Sequence, residues 1–324
     1  MMKPDVSVLL PAYNGEKYIG QAIDSALAQT LVPFEIIVVD DGSTDDTESI
    51  VKHYGSRVRY IRQGNKGTSG AYNAGIAAAS GEFIAFLEQD DIWSPEKNAM
   101  QIAAFEGNAG LGMVFSPVEL LREAGASKCT DIDVQEGEGR YAFADFFVRN
   151  RVLNCSTVMI RSDVLRHIGG FREHLKLAFD YDLWLRIATK YGVQCLGTPL
   201  ATYRIHGNNQ SKDDHDLLAA ESSLNILLSW TDNPPALKEI EGRVVRERIS
   251  QLHRTVAWEH AQLGHRDEEV RHLWASARAN PLKLDHWREY LWRRLESRTR
   301  NRLVWYFQRI QGIFGRVAPG ERRP

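Results

Sequence analysis

Apolar and polar positions alternate between two periodicities along the first part of the chain. Val6-Ser7-Val8-Leu9-Leu10 is a short β-rich run closed by Pro11. Between Glu16 and Gln29, Ile19, Ala22, Ile23, Ala26 and Leu27 recur at helical spacing and predict an amphipathic helix. Glu35-Ile36-Ile37-Val38-Val39 is nearly continuous and apolar, as a strand covered on both faces of a parallel sheet should be. The rhythm predicts a helix over 45–54, a strand over 57–62, a helix over 69–79 and a strand over 82–87. Such βαβ repetition predicts an α/β domain with a mostly parallel sheet, placed at 1–215. Ligands of these sheets sit beyond the carboxyl ends of the strands. Those ends carry Pro11-Ala12-Tyr13, Asp40-Asp41 and Glu88-Gln89-Asp90-Asp91.

Past residue 215 the strand signals stop, and 216–324 reads as a helical C-terminal region. Segments 216–230, 236–263 and 267–279 have helical periodicity, with Ile249, Leu252, Val256 and Ala257 on one face. The stretch from Ala257 to Gly264, then Leu273-Trp274-Ala275-Ser276-Ala277 and Pro281, looks like a tetratricopeptide-type helix pair over about 243–280. A plain helical extension gives the same pattern. One pair cannot bury its own face and must dock on something. A further helix over about 285–316 carries Trp287, Leu291, Leu295, Leu303, Phe307, Ile310 and Phe314 on one side, with arginines over the rest.

Composition narrows the partners. The chain has 324 residues, 43% apolar and 25% charged, the balance of a soluble globular protein. Its net charge of −2 argues against general nucleic-acid binding, which needs a basic excess. The charge is uneven: from His286 onward there are ten Arg against three Glu, so the preceding 285 residues carry a net −9. A basic amphipathic end suits a membrane surface, and a self-association helix or a face packed on the body explains the stripe equally well. No run approaches the ~20 apolar residues of a bilayer span, and the N-terminus lacks a signal peptide's apolar core. Cys129, Cys155 and Cys195 form neither a CxxC pair nor an even set. The expectation is a cytoplasmic protein, with peripheral attachment to the inner face of the cytoplasmic membrane open to the tail.

The strand ends limit the chemistry. The first is followed by Asn14-Gly15-Glu16-Lys17 rather than GxGxxG, and no GxxxxGK[ST] occurs, which removes the dinucleotide and P-loop readings. Carboxylates repel phosphate unless a divalent cation lies between them, so two acidic clusters at the ligand edge imply a metal-bridged phosphate. Asp40-Asp41 and Asp90-Asp91 also suit simple loop formers.

Six ordered blocks carry a resemblance: VSVLLPAYNGEKYI (6–19), FEIIVVDDGSTDDT (34–47), GNKGTSGAYNAGIAAASGEFIAFLEQDDIWSP (64–95), GGFRE (169–173), FDYDLWLR (179–186) and YRIHGNNQS (203–211). Residues 1 to about 210 resemble family 2 of the GT-A glycosyltransferases. The resemblance implies a GT-A fold and a metal-dependent, inverting transfer of sugar from a nucleotide-diphosphate donor, UDP first. The acceptor it implies is a hydroxyl of a saccharide or a lipid-linked saccharide, in cell-surface polysaccharide or glycolipid synthesis. It places Pro11 and Tyr13 on the base and ribose, with Tyr13 stacking on the base, and Asp40 on the base N–H. Asp41 and Ser43 cap the following helix in this scheme, while Asn65, Gly67, Gly70 and Asn73 lie under the diphosphate and ribose. Glu88 and Asp90 face the ribose, and Asp91, with Asp90 and His206, holds Mn²⁺ or Mg²⁺. Asp180 is the base. Arg204, Asn209, Ser211 and Lys212 form a flap.

Three positions depart from the family pattern: Tyr72 where Arg is frequent, Glu88 for the first Asp of D-x-D-D, and Phe179 for the acidic neighbour of the base. They keep open the alternative of a catalytically silent nucleotide-sugar binder or scaffold of the same fold. Asp182 is expected to brace rather than react, and Trp93 either floors the donor sugar or closes the core.

Overall fold

Strand β1 (Val6–Ala12) is buried along its whole length at the centre of an eight-stranded sheet. The computed structural model describes residues 5–123, 137–207, 209, 216–233 and 235–295. After β1 come α1 (Ile19–Leu27), β2 (Glu35–Asp40), α2 (Thr47–His53), β3 (Arg59–Arg62), α3 (Gly67–Ala78) and β4 (Phe83–Phe86). Then follow β5 (Ile92–Trp93), α4 (Lys97–Phe105), β6 (Leu111–Phe115), β7 (Val118–Arg122), β8 (Gly139–Tyr141), α5 (Phe143–Val148) and β9 (Met159–Arg161). The series continues through α6 (Ser162–Ile168), α7 (Phe179–Ala188), β10 (Gly192–Cys195), β11 (Ala201–Ile205) and α8 (Asp216–Thr231).

The sheet order is β3-β2-β1-β4-β9-β6-β10-β8, with β5-β11-β7 as a smaller second sheet. Four pairings of the large sheet are parallel, and the three antiparallel ones all involve β8 or β9. From β1 the chain winds outward through β2 and β3, then returns to place β4 on the other side of β1. That reversal opens a crevice between the carboxyl ends of β1 and β4, where ligands of such sheets bind. The continuous apolar runs make this possible. Val8, Leu10, Ile36 and Val38 join Ile19, Ile23 and Phe105 in one core, each large side chain contributing about 1.5–3 kcal/mol on full burial. Trp93 is 3% exposed, and its Nε1 donates to the Ser156 carbonyl at 2.8 Å, so it closes the core.

Asp182 braces α7, as the sequence suggested. Its carboxylate is fully buried and accepts from Arg172 Nη1 at 2.9 Å and Arg186 Nε at 2.8 Å. Arg186 also donates to the carbonyls of Ile168 and Gly170, tying the 168–172 turn to the helix. Truncation by Asp182→Ala leaves a largely buried guanidinium without its carboxylate. The expected cost is about 3–5 kcal/mol, measured by urea unfolding.

The chain divides into two compact units, residues 1–241 and 242–324, so α8 groups with the first rather than with the helices that follow. The α8 side chain Trp230 packs on Phe143 of α5 at a 5.1 Å ring separation. In the second unit, α9 (Gly242–Gln262) begins later than the sequence pattern suggested, after turns that follow Pro235. It is followed by α10 (Arg266–Ala279) and α11 (Leu284–Arg294). Gly264, at φ +75°, ends α9, and the His265 N–H closes on the His260 carbonyl at 2.9 Å. Ala257, Leu273 and Tyr290 form a small core with Val270 and Trp287. Ser250 and Ser276 bond across α9 and α10, and Ser250 Oγ meets His286 Nδ1 at 2.8 Å. Of the expected 285–316 stripe, Trp287 faces this core and Leu291 is exposed; residues 296–316 lie outside the described ones. No helix of the described residues is long and apolar enough to cross a membrane.

Candidate active site

The crevice between β1 and β4 deepens into a cavity of about 330 Å³. Pro11, Ala12 and Tyr13 from the end of β1, and Glu88, Gln89 and Asp90 beyond β4, form part of its wall. Asp41, the α3 residues Thr68 and Ala71, Cys155, and the start of α7 with Asp180 complete it, with Tyr203 and Asn209 at β11 and beyond. Backbone chemistry sets the two strand ends against each other. Gln89 Oε1 accepts from the Tyr13 N–H at 2.9 Å, and its Nε2 donates to the Tyr13 carbonyl at 3.1 Å. A Cβ on Gly15 would lie 2.3 Å from that same Oε1, so Gly15 lets Gln89 reach the chain. The Tyr13 ring is left 48% exposed at the cavity edge, free to stack on a planar ligand.

The carboxylates divide by their partners. Asp91 is fully buried: Oδ2 accepts from Asn154 Nδ2 and Ser156 Oγ, both at 2.6 Å, and Oδ1 from the Arg204 N–H at 3.1 Å. Ser156 Oγ in turn accepts from the Glu88 N–H at 2.9 Å, so one short turn (Cys155–Thr157) fixes the whole acidic loop. Asp90 lines the cavity, and its Oδ2 lies 2.9 Å from His206 Nε2. His206 packs against the Tyr18 ring at 4.7 Å with a 33° tilt, and Asn209 secures its backbone by accepting from the His206 N–H at 2.5 Å. Carboxylate oxygens of Glu88, Asp90 and Asp91 all lie within 4.8 Å of one another. Burial, then Asp91, Asp90 and Asp180, push the Glu88 pKa well up; burial and Asp90 push Asp91 up to about 8. Such crowding of hard oxygen donors is relieved by a dication, and the donor set suits Mg²⁺ or Mn²⁺.

Asp180 stands in the first turn of α7, set there by Ala178, which turns through a left-handed φ of +56°. That conformation is uncommon for a residue with a Cβ. Burial pushes Asp180 up to about 6, against backbone N–H groups of the helix start that pull it down. A carboxyl poised near neutrality in a cavity wall is suited to proton transfer.

Several residues expected on the ligand are occupied elsewhere. Asp40 is fully buried behind the wall: Tyr60 donates to Oδ2 and the Ser43 N–H to Oδ1 at 2.7 Å. Burial raises its pKa, but these hydrogen bonds outweigh that and leave it below the ordinary value. Asp41 faces the cavity instead, and it caps α3 rather than the helix directly after it, accepting from the N–H groups of Lys66 at 2.8 Å and Gly67 at 2.7 Å. Asn65 accepts from the Gly67 N–H at 3.2 Å, outside the cavity wall, and Gly67 takes the φ of +80° that starts α3. Asn73 is bound to the 169–173 turn, donating to the Phe171 carbonyl at 2.9 Å and accepting from its N–H at 2.9 Å. Arg204 is buried, with Nε on the Asp90 carbonyl at 3.0 Å and Nη2 on Gln21 at 2.7 Å, which takes it out of a flap. Ser211, Lys212 and Cys129 lie outside the described residues. Asn154 and Ala178 carry no sequence signal of a site role, because the partner of Asn154 is 63 residues away and Ala178 acts through its backbone.

Residues 7–122 match the family described as glycosyl transferase family 2. The chain carries a glycosyl transferase family 2 domain. That domain supplies β1, β4 and the acidic loop of the cavity. An uncharacterized glycosyltransferase of Rickettsia prowazekii is 35% identical over 206 residues, covering 63% of this chain and 64% of that protein's length. The structure of S. aureus TarS 1–349 in complex with UDP-GlcNAc superposes with a TM-score of 0.60 at 20% identity, over 85% of this chain and 81% of that one. A mannosyltransferase from Pyrobaculum calidifontis in complex with GDP-Man and Mn²⁺ gives 0.57 at 18% identity, over 86% and 77%. These likenesses establish the GT-A fold around the family 2 domain.

Proposed function

We propose that this chain is an inverting glycosyltransferase that moves a sugar from a nucleotide-diphosphate donor to a hydroxyl of a saccharide or lipid-linked acceptor. The observation that carries the reading is the shared cavity, with Asp180 in the same wall as Asp90, Asp41 and Tyr13. The Tyr13 ring and Pro11 hold the base, and Asp41 accepts from a base N–H, the role expected of its neighbour Asp40. Uracil presents such an N–H, and UDP is the proposed carrier. Asp90 and His206, with Glu88 beside them, hold Mn²⁺ or Mg²⁺, which when bound neutralises charge on the departing diphosphate. Asp91 fixes that loop through Asn154, Ser156 and the Arg204 N–H and, unlike Asp41, does not line the cavity.

Asp180 accepts the proton of the acceptor hydroxyl as that oxygen bonds to C1 of the sugar. The C1–O bond to the diphosphate breaks on the opposite face, and its electron pair leaves with the nucleotide, giving inversion. An alcohol is a weak nucleophile near pH 7, so the base supplies what the acceptor lacks. A lipid-linked acceptor would fit with the surplus of arginine from His286 onward, which favours an anionic membrane surface.

Calorimetric titration with UDP, dTDP and GDP, each with Mn²⁺ and with chelator, tests the donor site. UDP is expected to bind in Mn²⁺ at least ~10-fold more tightly than with chelator, a difference of about 1.4 kcal/mol. Binding of none of the three by folded protein would replace this reading with a scaffold.

A further inference from the structure

The second unit holds a cluster that glycosyl transfer does not use. Five of the chain's ten histidines fall at 253, 260, 265, 272 and 286. His253 and His260 are two turns apart on α9 and so share a face. His272 comes from α10, and His265 from the connection between the two helices. Ring nitrogens of His260 and His272 and a carboxylate oxygen of Glu268 all lie within 4.8 Å of one another. His260 Nδ1 is 3.3 Å from His265 Nδ1, and His253 Nδ1 is 3.1 Å from His272 Nδ1. The His260 and His272 rings are 5.6 Å apart.

The geometry points to a zinc-class divalent cation site formed by His260, His272 and Glu268, with His265 beside His260 at its edge. Around a tetrahedral ion with Zn–N bonds of about 2.0–2.1 Å, ligand atoms are separated by about 3.3 Å. The ligand atoms of His260, His272 and Glu268, all within 4.8 Å of one another, need only draw in toward that spacing to share one ion. Two imidazoles and a carboxylate favour zinc over the hard cations of the acidic loop. Glu268 also pairs with Arg271, which is exposed and can turn to solvent at little cost. Ligands from both helices make the ion a clamp: it would tie α9 to α10 near the end where the chain reverses. Three protein ligands and a water complete the tetrahedron, and joining the two helices is the ion's role.

The test uses the full chain carrying Asp90→Asn, so that the acidic loop does not compete, with Zn²⁺ and Co²⁺ as probes. One Zn²⁺ per chain is expected, Co²⁺ should give the intense visible bands of four-coordinate geometry, and bound Zn²⁺ should raise the melting temperature. Adding His272→Gln should weaken Zn²⁺ binding more than ~100-fold, beyond the usual effect of losing an outer-sphere contact. Glu268→Gln, at a partly exposed position, serves where His272→Gln disturbs folding, with helix content followed by circular dichroism. No Zn²⁺ uptake by the Asp90→Asn chain would overturn the assignment. So would affinity within about threefold of that chain's in a folded His272→Gln or Glu268→Gln protein.

Discussion

Asp180→Asn is expected to lower the rate of nucleotide release from a UDP-sugar by about 10²–10⁴-fold, while the Kd for UDP with Mn²⁺ stays within about twofold. The amide has the shape of the carboxyl and cannot accept the proton of the attacking oxygen. Water can stand in for the natural acceptor, so donor hydrolysis gives a readout before the acceptor is known. The pH profile separates loss of a base from loss of shape. Burial holds Asp180 up to about 6, and only its ionised form is a base. In the wild-type protein, activity should therefore fall about tenfold per pH unit below that value and level off above it. The residual activity of the variant should lack this acid limb. Rates within a few-fold of wild type would remove Asp180 as the base. The local structure favours a clean outcome: Asp182, two residues on, anchors the helix through Arg172 and Arg186, independently of Asp180.

The same segment marks how far sequence alone reaches. The central strands were legible because burial on both faces leaves nearly unbroken apolar runs, as in Glu35–Asp40. The three-residue strands β8 and β9 were not, since their place in the sheet comes from pairing with β10, β4 and β6 rather than from local pattern. The site shows the same division. Neighbouring residues at an extended strand end point to opposite sides, so a one-residue ambiguity exchanges a buried anchor for a cavity residue. That is the difference between Asp40 and Asp41. Asn73 sits in the expected motif, but its partner Phe171 is 98 residues away, and no spacing rule announces it. His206 was legible as a candidate ligand, whereas the 2.9 Å approach to Asp90 depends on β11 running beside β5.

Paired substitutions in the acidic loop should separate metal binding from scaffolding. Asp90→Asn is expected to raise the Kd for UDP in Mn²⁺ to its value with chelator, about 10-fold or more, with little change in melting temperature. Asp90 lines the cavity and meets His206, so its charge matters more to a ligand than to the fold. Asp91→Asn should do the reverse. An amide turns N–H groups toward Asn154, Ser156 or Arg204, which all donate to the carboxylate, and leaving such buried donors unsatisfied costs about 1–3 kcal/mol. Proton linkage adds a second signature. In metal-free protein Asp91 is held up to about 8, above its ordinary value of 3.8, so the folded chain binds a proton that the unfolded chain has lost. That contribution is full below about pH 4 and disappears as the pH rises through about 8. Mn²⁺, by neutralising the cluster, should therefore raise the wild-type melting temperature more at pH 8 than at pH 6. A Mn²⁺ response that survives Asp90→Asn and vanishes in a stable Asp91→Asn protein would exchange the two roles, making Asp91 the ion's principal ligand and Asp90 the partner that orients His206.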